Sequence, residues 1–453
     1  MKIAFINQPW TPAVPAPTGD SIGIWTYNTA CQLAASHHVL IYGGDKSFFR
    51  KAEKIIEGIY YRSLGSTIDQ LLLNRLLGKF DLFLHKLKIL RTNCPFIAAN
   101  YFYLTYIYRV AIDLKEQQCD VVHIHNFSQF VPIIRAFNPK AKIVLHMHCE
   151  WLTQFEYSII ENRLRQVDMI IGCSEHITEK IQKRFPQFAD RCKTVYNGVD
   201  VELFGGNLSA GLHSTSQRNQ PTSSRPLKSR EDRNKKILFV GRISPEKGLH
   251  LLLDAFREIN RRYPNTELEI VGSEVVAPRE CVFGTSNEPE VLGLSQFYSG
   301  SYLEKLKRRL SPDIETRVVF AGYVSHEELP AHYKDADIVI NPSLSEAFGM
   351  SLAEGMSSGI PVIATRIGGM RSVVQEGKTG LLVEANNSLA LVEAVCYLLS
   401  NDELRKSMGK IGRQRALDLF SWEKIAESLE TEYKHICKHH EHFVSSNSSL
   451  RCL

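Results

Sequence analysis

Apolar runs too short to make a helix recur along this chain, each followed by a stretch of helical period or by polar residues. Residues 2–6 form the first run. Pro9, Pro12, Pro15 and Pro17 then bar regular structure, and Asp20-Ser21 supplies a cap for a helix over 22–35. Val39-Leu40-Ile41-Tyr42, ended by Gly43-Gly44, reads as the next strand, and similar runs lie at 121–124, 143–145 and 169–171. Buried strands alternating with helices predict the α/β class with a parallel, doubly wound sheet.

The pattern restarts after residue 233. Strands are expected at 236–240, 268–271, 318–320, 338–340 and 361–364. Leu251, Leu252, Ala255, Phe256 and Ile259 mark the inward side of a helix over 249–260. Between the two halves, Ser, Thr, Asn, Gln, Arg and Lys displace large apolar residues. Such a segment buries too little surface to offset its ordering entropy and reads as a flexible insertion. The expected organisation is therefore an N-terminal domain over 1–204, an insertion over 205–233 and a C-terminal domain over 234–420. A helix near 422–437 and a tail complete it, the segment 421–453 packing back on the N-terminal domain. Residues 273–300 read as a surface loop. The stretch 68–115, rich in Leu with Lys79, Lys86, Lys88 and Arg91 interspersed, admits two readings. One is a basic helix lying on a membrane surface; the other, simpler one is a helix packed on its own domain.

Composition narrows the classes. A chain of 453 residues exceeds one ordinary core. Its net charge of +5 is small for that length and asks for no nucleic-acid partner. The ten cysteines include no Cys-x-x-Cys pair, so neither a zinc site nor a dense disulfide framework is indicated. The first residues lack the long apolar core of a signal peptide, and no 18-residue apolar stretch is present. A cytoplasmic protein is expected, with peripheral contact at the inner membrane surface as the variant of that reading.

Chemistry concentrates between Asn341 and Gly369. A strand leads into Asn341-Pro342-Ser343, then a loop bearing Glu346, then a helix whose first turn is expected to include Phe348, Gly349 and Met350. Unpaired N–H groups at a helix start attract anions, and Gly349 lets a ligand approach the backbone. Glu354 lies eight residues beyond Glu346. Were the intervening residues all helical, the separation would be about 12 Å along the axis, close to the sugar-to-ribose span of an extended nucleotide sugar. Arg242 and Lys247 follow the strand 236–240. Two cations there stabilise the charge developing on a diphosphate leaving group, Arg by its fork and Lys as a point charge.

The Glu346-to-Glu354 spacing resembles the Glu-x7-Glu motif of the family 4 glycosyltransferases, retaining enzymes of the GT-B fold. Val240 to Gly248 is similar to that family's donor-phosphate segment, Tyr196-Asn197-Gly198-Val199-Asp200 to the turn closing its N-terminal domain, and Phe320 to Val324 also has its counterpart. The subgroup containing spore-coat-type transferases is resembled as well. The resemblance implies two Rossmann-like domains facing a central cleft and a nucleotide-diphosphate sugar as donor substrate, with no cofactor. Glu346, Arg242, Lys247, Phe348, Gly349, Met350 and Glu354 would serve the donor in the C-terminal domain. His148, in Leu145-His146-Met147-His148, falls where the family's histidine touches the sugar. Many members carry Gly-Gly after the first strand; here Gly19 and Gly23 are separated by Asp20-Ser21-Ile22, with Gly19 the candidate for close approach and Trp25 and Tyr27 supporting the acceptor side.

His123 and His125 form a similar strand-end pair and are candidates to line the cleft, while His146 reads as structural. Four histidines in His-x-His spacing suit a metal, but no carboxylate motif joins them, and no metal is expected. The expected function is transfer of a hexosyl-type sugar to a glycan, lipid-linked or small-molecule acceptor, with retention of configuration, in the context of polysaccharide biosynthesis. A nucleotide-sugar epimerase of the same architecture and a non-catalytic sugar-nucleotide-binding protein are the alternatives.

Overall fold

A computed structural model describes residues 1–15, 21–47, 51–71, 98–206, 234–276, 282 and 289–448, without side chains over 439–448. Gly19, residues 72–97 of the Leu-rich stretch and residues 207–233 of the polar segment lie outside the described residues. The chain divides into two compact units, Met1–Gly198 with Trp422–Leu453, and Val199–Ser421.

The N-terminal unit holds strands β1 (Lys2–Ile6), β2 (His38–Asp45), β3 (Lys51–Ile56), β4 (Ile59–Gly65), β5 (Val121–His125), β6 (Lys142–Met147), β7 (Met169–Gly172) and β8 (Cys192–Thr194), in the spatial order β3-β4-β2-β1-β5-β6-β7-β8. Ile3 to Ile6 are fully buried, as a parallel strand covered on both faces requires. All neighbours are parallel except β3, which pairs antiparallel with β4. That hairpin turns on Glu57 and Gly58, both at positive φ, the geometry that matches strand twist in a two-residue loop. The apolar-run criterion passes over β3 because its residues are mostly exposed on a sheet edge.

One face of this sheet is covered by the helix Ser21–Leu33 and by the C-terminal helix Trp422–Ser448. Trp422, Ile425, Ala426, Leu429 and Tyr433 join Phe5, Trp25, Ala30, Leu33 and Val39 in one apolar cluster. Gly198 seats the Trp422 ring: a Cβ there would stand 2.1 Å from its Cε3.

The C-terminal unit holds β9 (Lys235–Val240), β10 (Thr266–Val271), β11 (Val318–Gly322), β12 (Ile338–Asn341), β13 (Val362–Thr365) and β14 (Gly380–Val383), all parallel, in the order β11-β10-β9-β12-β13-β14. Numbered within the unit this is 3-2-1-4-5-6, the dinucleotide-fold order. The helix Leu249–Arg262 buries Leu252, Ala255, Phe256 and Ile259 as expected, with Leu251 half-buried. Residues 289–298, expected in a loop, are instead helical turns that bury Val291 and Leu294.

The N-terminal unit ends earlier than the expected residue 204. Asp200 caps the short helix Val201–Gly205, accepting from Leu203 N at 2.8 Å. Phe204 then packs edge-on against Tyr333 and His326, each 5.4 Å away between ring centroids. Burial of that ring ties residues 199–205 to the second unit.

Leu429→Ala opens a cavity in the apolar cluster beneath the C-terminal helix. It should cost about 2–5 kcal/mol, read as a lower urea midpoint; an unshifted midpoint would mean that the helix does not contribute to the core.

Candidate active site

In an open α/β sheet, ligands meet the crevice outside the carboxyl ends of the strands where strand order reverses. In the C-terminal unit that point lies between β9 and β12. The loop after β9 carries Arg242 and Lys247; the loop after β12 carries Asn341, Ser343 and Glu346. The two loops touch. Leu344 N donates to the Glu246 carbonyl at 2.7 Å. Gly248, at φ 70°, caps the helix Leu249–Arg262, and a Cβ there would lie 2.0 Å from the Pro342 carbonyl oxygen. Only glycine allows both the left-handed turn and the approach.

Lys247 Nζ stands 2.7 Å from Glu346 Oε2, with the two side chains only 15% and 16% exposed. Burial alone would raise the Glu346 pKa. The Lys247 charge and hydrogen bond, with smaller help from Asn341 and Arg242, hold it below the ordinary value instead. Arg242 is half-exposed and reaches Glu246 at 3.1 Å. Glu246 is itself buried and also accepts from the Ser244 hydroxyl. The guanidinium is thus steered from behind while its outer edge stays open to solvent.

The helix starts later than expected. It runs Met350–Ser357, with Gly349 at φ 101° immediately before it. Phe348 and Gly349 are therefore in the loop, and Phe348 is buried edge-on against Phe420 at 5.6 Å. The fully helical premise behind the 12 Å spacing does not hold, because a left-handed glycine separates the two carboxylates. Glu354 is buried on the helix and accepts from the Tyr333 hydroxyl at 2.6 Å. Its pKa is raised by burial, which outweighs that hydrogen bond.

Three contributors were not singled out from sequence. Gly368 and Gly369 follow β13, and a Cβ at either would stand 1.9 Å from the carbonyl oxygen of Glu346 or Ala347 respectively. Gly369 N donates to the Glu346 carbonyl at 3.1 Å. Asn341 Oδ1 accepts from the Ser343 hydroxyl at 2.6 Å. A Gly-Gly pair directly after a buried strand was the available signal for the first two; Asn341 offered none beyond its place at a strand end.

In the N-terminal unit the register pairs His125 with His146. Side chains alternate along a strand, so His123, His125, His146 and His148 share the face under Trp25, whose ring centroid lies 4.9–5.8 Å from all four. His123, His125 and His146 are completely buried, so the first two do not line an open surface. Trp25 is core as well, at 2% exposure, rather than a surface support for an acceptor. Tyr27 is half-buried, and burial pushes its hydroxyl up to about 12. Burial holds His123, His125 and His146 well below the usual imidazole range, and His148 down at about 4. All four are neutral at pH 7. His148 alone retains partial exposure. Its backbone N donates to Asn126 Oδ1 at 2.7 Å, and its Nδ1 lies 3.1 Å from Asn197 Oδ1.

Neutral imidazoles are metal ligands, and one nitrogen from each of His123, His125 and His146 falls within 4.8 Å of the others. Most of the ring nitrogens already have partners: His123 bridges Tyr433 at 2.6 Å and His146 at 3.2 Å. His146 Nε2 is without a hydrogen-bond partner among the described residues.

The Glu346 shift sets the sign of a pH effect. A depressed carboxyl pKa contributes stability that is present above the unfolded value, about 4.3, and lost as pH falls through the folded value. Lys247→Met leaves the carboxylate without its cation and raises its pKa. The variant should be less stable at pH 7 by about 1–3 kcal/mol, and the gap to the parent should narrow towards pH 4. Urea unfolding at both pH values checks this, and a gap independent of pH would overturn the assignment.

Residues 22–203 match the family model Glycosyltransferase Family 4, and residues 220–415 match Glycosyl transferases group 1. Spore coat protein SA of Bacillus subtilis (strain 168) is 26% identical over 438 residues, covering 96% of this chain and 99% of that one. Among solved structures, the sucrose-phosphate synthase of Thermosynechococcus elongatus superposes with a TM-score of 0.63 at 20% identity, covering 96% and 98% of the two chains. Anabaena HepE, solved in complex with UDP, gives 0.61 at 20% identity, covering 96% and 100%. With two parallel Rossmann-like units, each matched by its own model, the chain belongs to the family 4 glycosyltransferases and has the GT-B fold.

Proposed function

We propose that this glycosyltransferase moves a hexosyl-type sugar from a nucleotide-diphosphate sugar to a glycan, lipid-linked or small-molecule acceptor, with retention and without a metal. The observation that carries the reading is the Lys247–Glu346 pair at the β9/β12 switch point, 2.7 Å across. A diphosphate entering there meets Lys247, the open edge of Arg242 and the amides at the start of the helix Met350–Ser357. The phosphate competes for the lysine, and Glu346 turns to a sugar hydroxyl as acceptor. Glu354 takes the ribose hydroxyls. In the N-terminal unit His148 meets the sugar as a neutral, oriented imidazole.

Retention is what the family resemblance implies, and the commitment of the carboxylates supports a route to it without a protein nucleophile. Glu346 is held ionised by Lys247, and Glu354 is bonded to Tyr333 and buried. Neither stands free as a nucleophile for double displacement. In this reading attack comes from the face that the leaving group departs. The acceptor oxygen bonds to the anomeric carbon as the carbon–phosphate oxygen bond breaks, and the acceptor proton passes to the departing phosphate oxygen. Arg242 and Lys247 stabilise the charge that develops there.

UDP-, GDP- and ADP-sugars should be screened by thermal shift, since a ligand bound only to the folded state raises its melting temperature; the UDP in the HepE structure makes uridine donors the first choice. Glu346→Ala should lower transfer from the stabilising donor by about 10²-fold or more with an unchanged circular dichroism spectrum. Near-normal turnover would refute the role given to Glu346.

A further inference from the structure

The loop that leaves β1 holds an exposed indole against a wall of buried rings. Trp10 is 47% exposed. Phe102, Tyr103 and Phe127, which it meets edge-to-face at centroid distances of 6.5, 6.1 and 5.5 Å, are buried. Phe102 and Phe127 stack on each other at 5.9 Å, and Trp151 stands edge-on to Phe127 at 5.8 Å. The indole is thus braced by rings from two other segments while about half of its surface stays open to water.

This wall stands at the ligand edge of the N-terminal sheet. Trp10 follows β1, Phe127 follows β5 and Trp151 follows β6, three neighbouring strands that all end here. The turn that carries Phe127 is strained. Asn126 has φ 59°. Its Oδ1 accepts from His148 N at 2.7 Å, and Phe127 N donates back to the His125 carbonyl at 2.7 Å. A left-handed asparagine costs of order 1 kcal/mol and persists where its surroundings over-determine it, a condition met most often at ligand sites. Here the turn sets Phe127 against Trp10 on one side and ties down the His148 backbone on the other.

The segments around the indole carry no charge. None of residues 7–15, 98–108 and 126–134 is Asp, Glu, Lys, Arg or His. Asp69 and Arg163 reach these segments from other elements, but both are buried and bonded, Asp69 to Thr105 N and Arg163 to Asn100 and the Ala98 carbonyl. The indole therefore has no cation beside it to hold a phosphate or an anionic headgroup. What it offers is a flat, fixed, apolar face, the shape on which the C–H bonds of one side of a pyranose ring can lie while the ring hydroxyls stay with water and neighbouring polar groups.

We propose that Trp10 is the platform of an acceptor subsite for a neutral pyranose ring, so that the part of the acceptor meeting this loop is carbohydrate. This deepens the transferase reading above and rests on it, the donor groups being those of the C-terminal unit. The buried rings are positioning residues, since they act on the sugar only through the indole.

The full chain is tested by saturation-transfer NMR against methyl hexopyranosides and neutral disaccharides, with farnesyl phosphate as a lipid-type probe. Saturation should reach at least one sugar, most strongly at the C–H protons of one ring face. Trp10→Tyr keeps a flat ring and should hold that sugar within a few-fold of the parent affinity. Trp10→Leu keeps apolar bulk without a flat face and should weaken it about ten-fold or more. Should Trp10→Leu fail to fold, Trp10→Gln removes the ring with a side chain suited to solvent. Saturation reaching no sugar, or equal affinity in the parent and in a folded ringless variant, would overturn the proposal. Farnesyl phosphate bound alike by the parent and Trp10→Leu, with no sugar bound, would do so by marking a lipid site. None of these variants should change the thermal shift given by the nucleotide-sugar donor. A normal donor shift with no sugar bound sinks the subsite alone; no shift with any donor sinks the transferase reading, and the sugar measurement still decides the subsite.

Discussion

The C-terminal site depends on the close approach of the two loops that leave β9 and β12. Gly248 lies against the Pro342 carbonyl because it lacks a Cβ, and Leu344 N bonds across to Glu246. That approach brings Lys247 onto Glu346. A carboxylate as buried as Glu346 would otherwise favour its neutral form. The lysine keeps it charged, and the carboxylate keeps the lysine fixed. Gly368 and Gly369 support the same loop from the β13 side by admitting the carbonyls of Glu346 and Ala347. Four glycine or carbonyl contacts and one ion pair thus fix the geometry of the cations and carboxylate at this site.

The N-terminal unit solves a different problem. Its strands β5 and β6 and the residue just after β6 carry four histidines on one face, under Trp25 and, for His123, against Tyr433 of the C-terminal helix. Placing so many polar rings in an apolar cluster is costly unless each finds partners. The rings meet this by bonding to one another and to Thr26, Asn197 and Tyr433, and by staying neutral. The N-terminal unit offers directed, uncharged hydrogen bonds at the end of its sheet.

Both units use one sheet plan, and their differences lie at the edges. The N-terminal sheet adds the antiparallel β3 on one side and β8 on the other, and it borrows its last helix from the far end of the chain. The C-terminal unit begins at Val199, whose N donates to the Phe420 carbonyl at 2.7 Å, so that its first and last residues are neighbours.

Much of this was legible in the sequence. Continuous apolar runs specify strands buried on both faces, because no alternation is needed where neither face meets water. The Glu346-to-Glu354 spacing and the Arg242 and Lys247 loop identified the family and the chemical groups at the site. Those signals are local, carried by neighbouring residues with fixed offsets. The sequence did not show β3, whose exposed residues leave no apolar run, nor the late start of the helix after Gly349. It placed Trp25, His123 and His125 near a surface, whereas the strand register turns the two histidines into the core and the helix Ser21–Leu33 turns Trp25 there. It also gave no hint that Thr26 would meet His125, or Lys247 meet Glu346, across 99 residues in each case. Which residues carry charge was written in the chain. Which of them share a hydrogen bond was decided only when strand order brought distant loops together, because a bond of 3 Å depends on position in space and not on separation along the sequence.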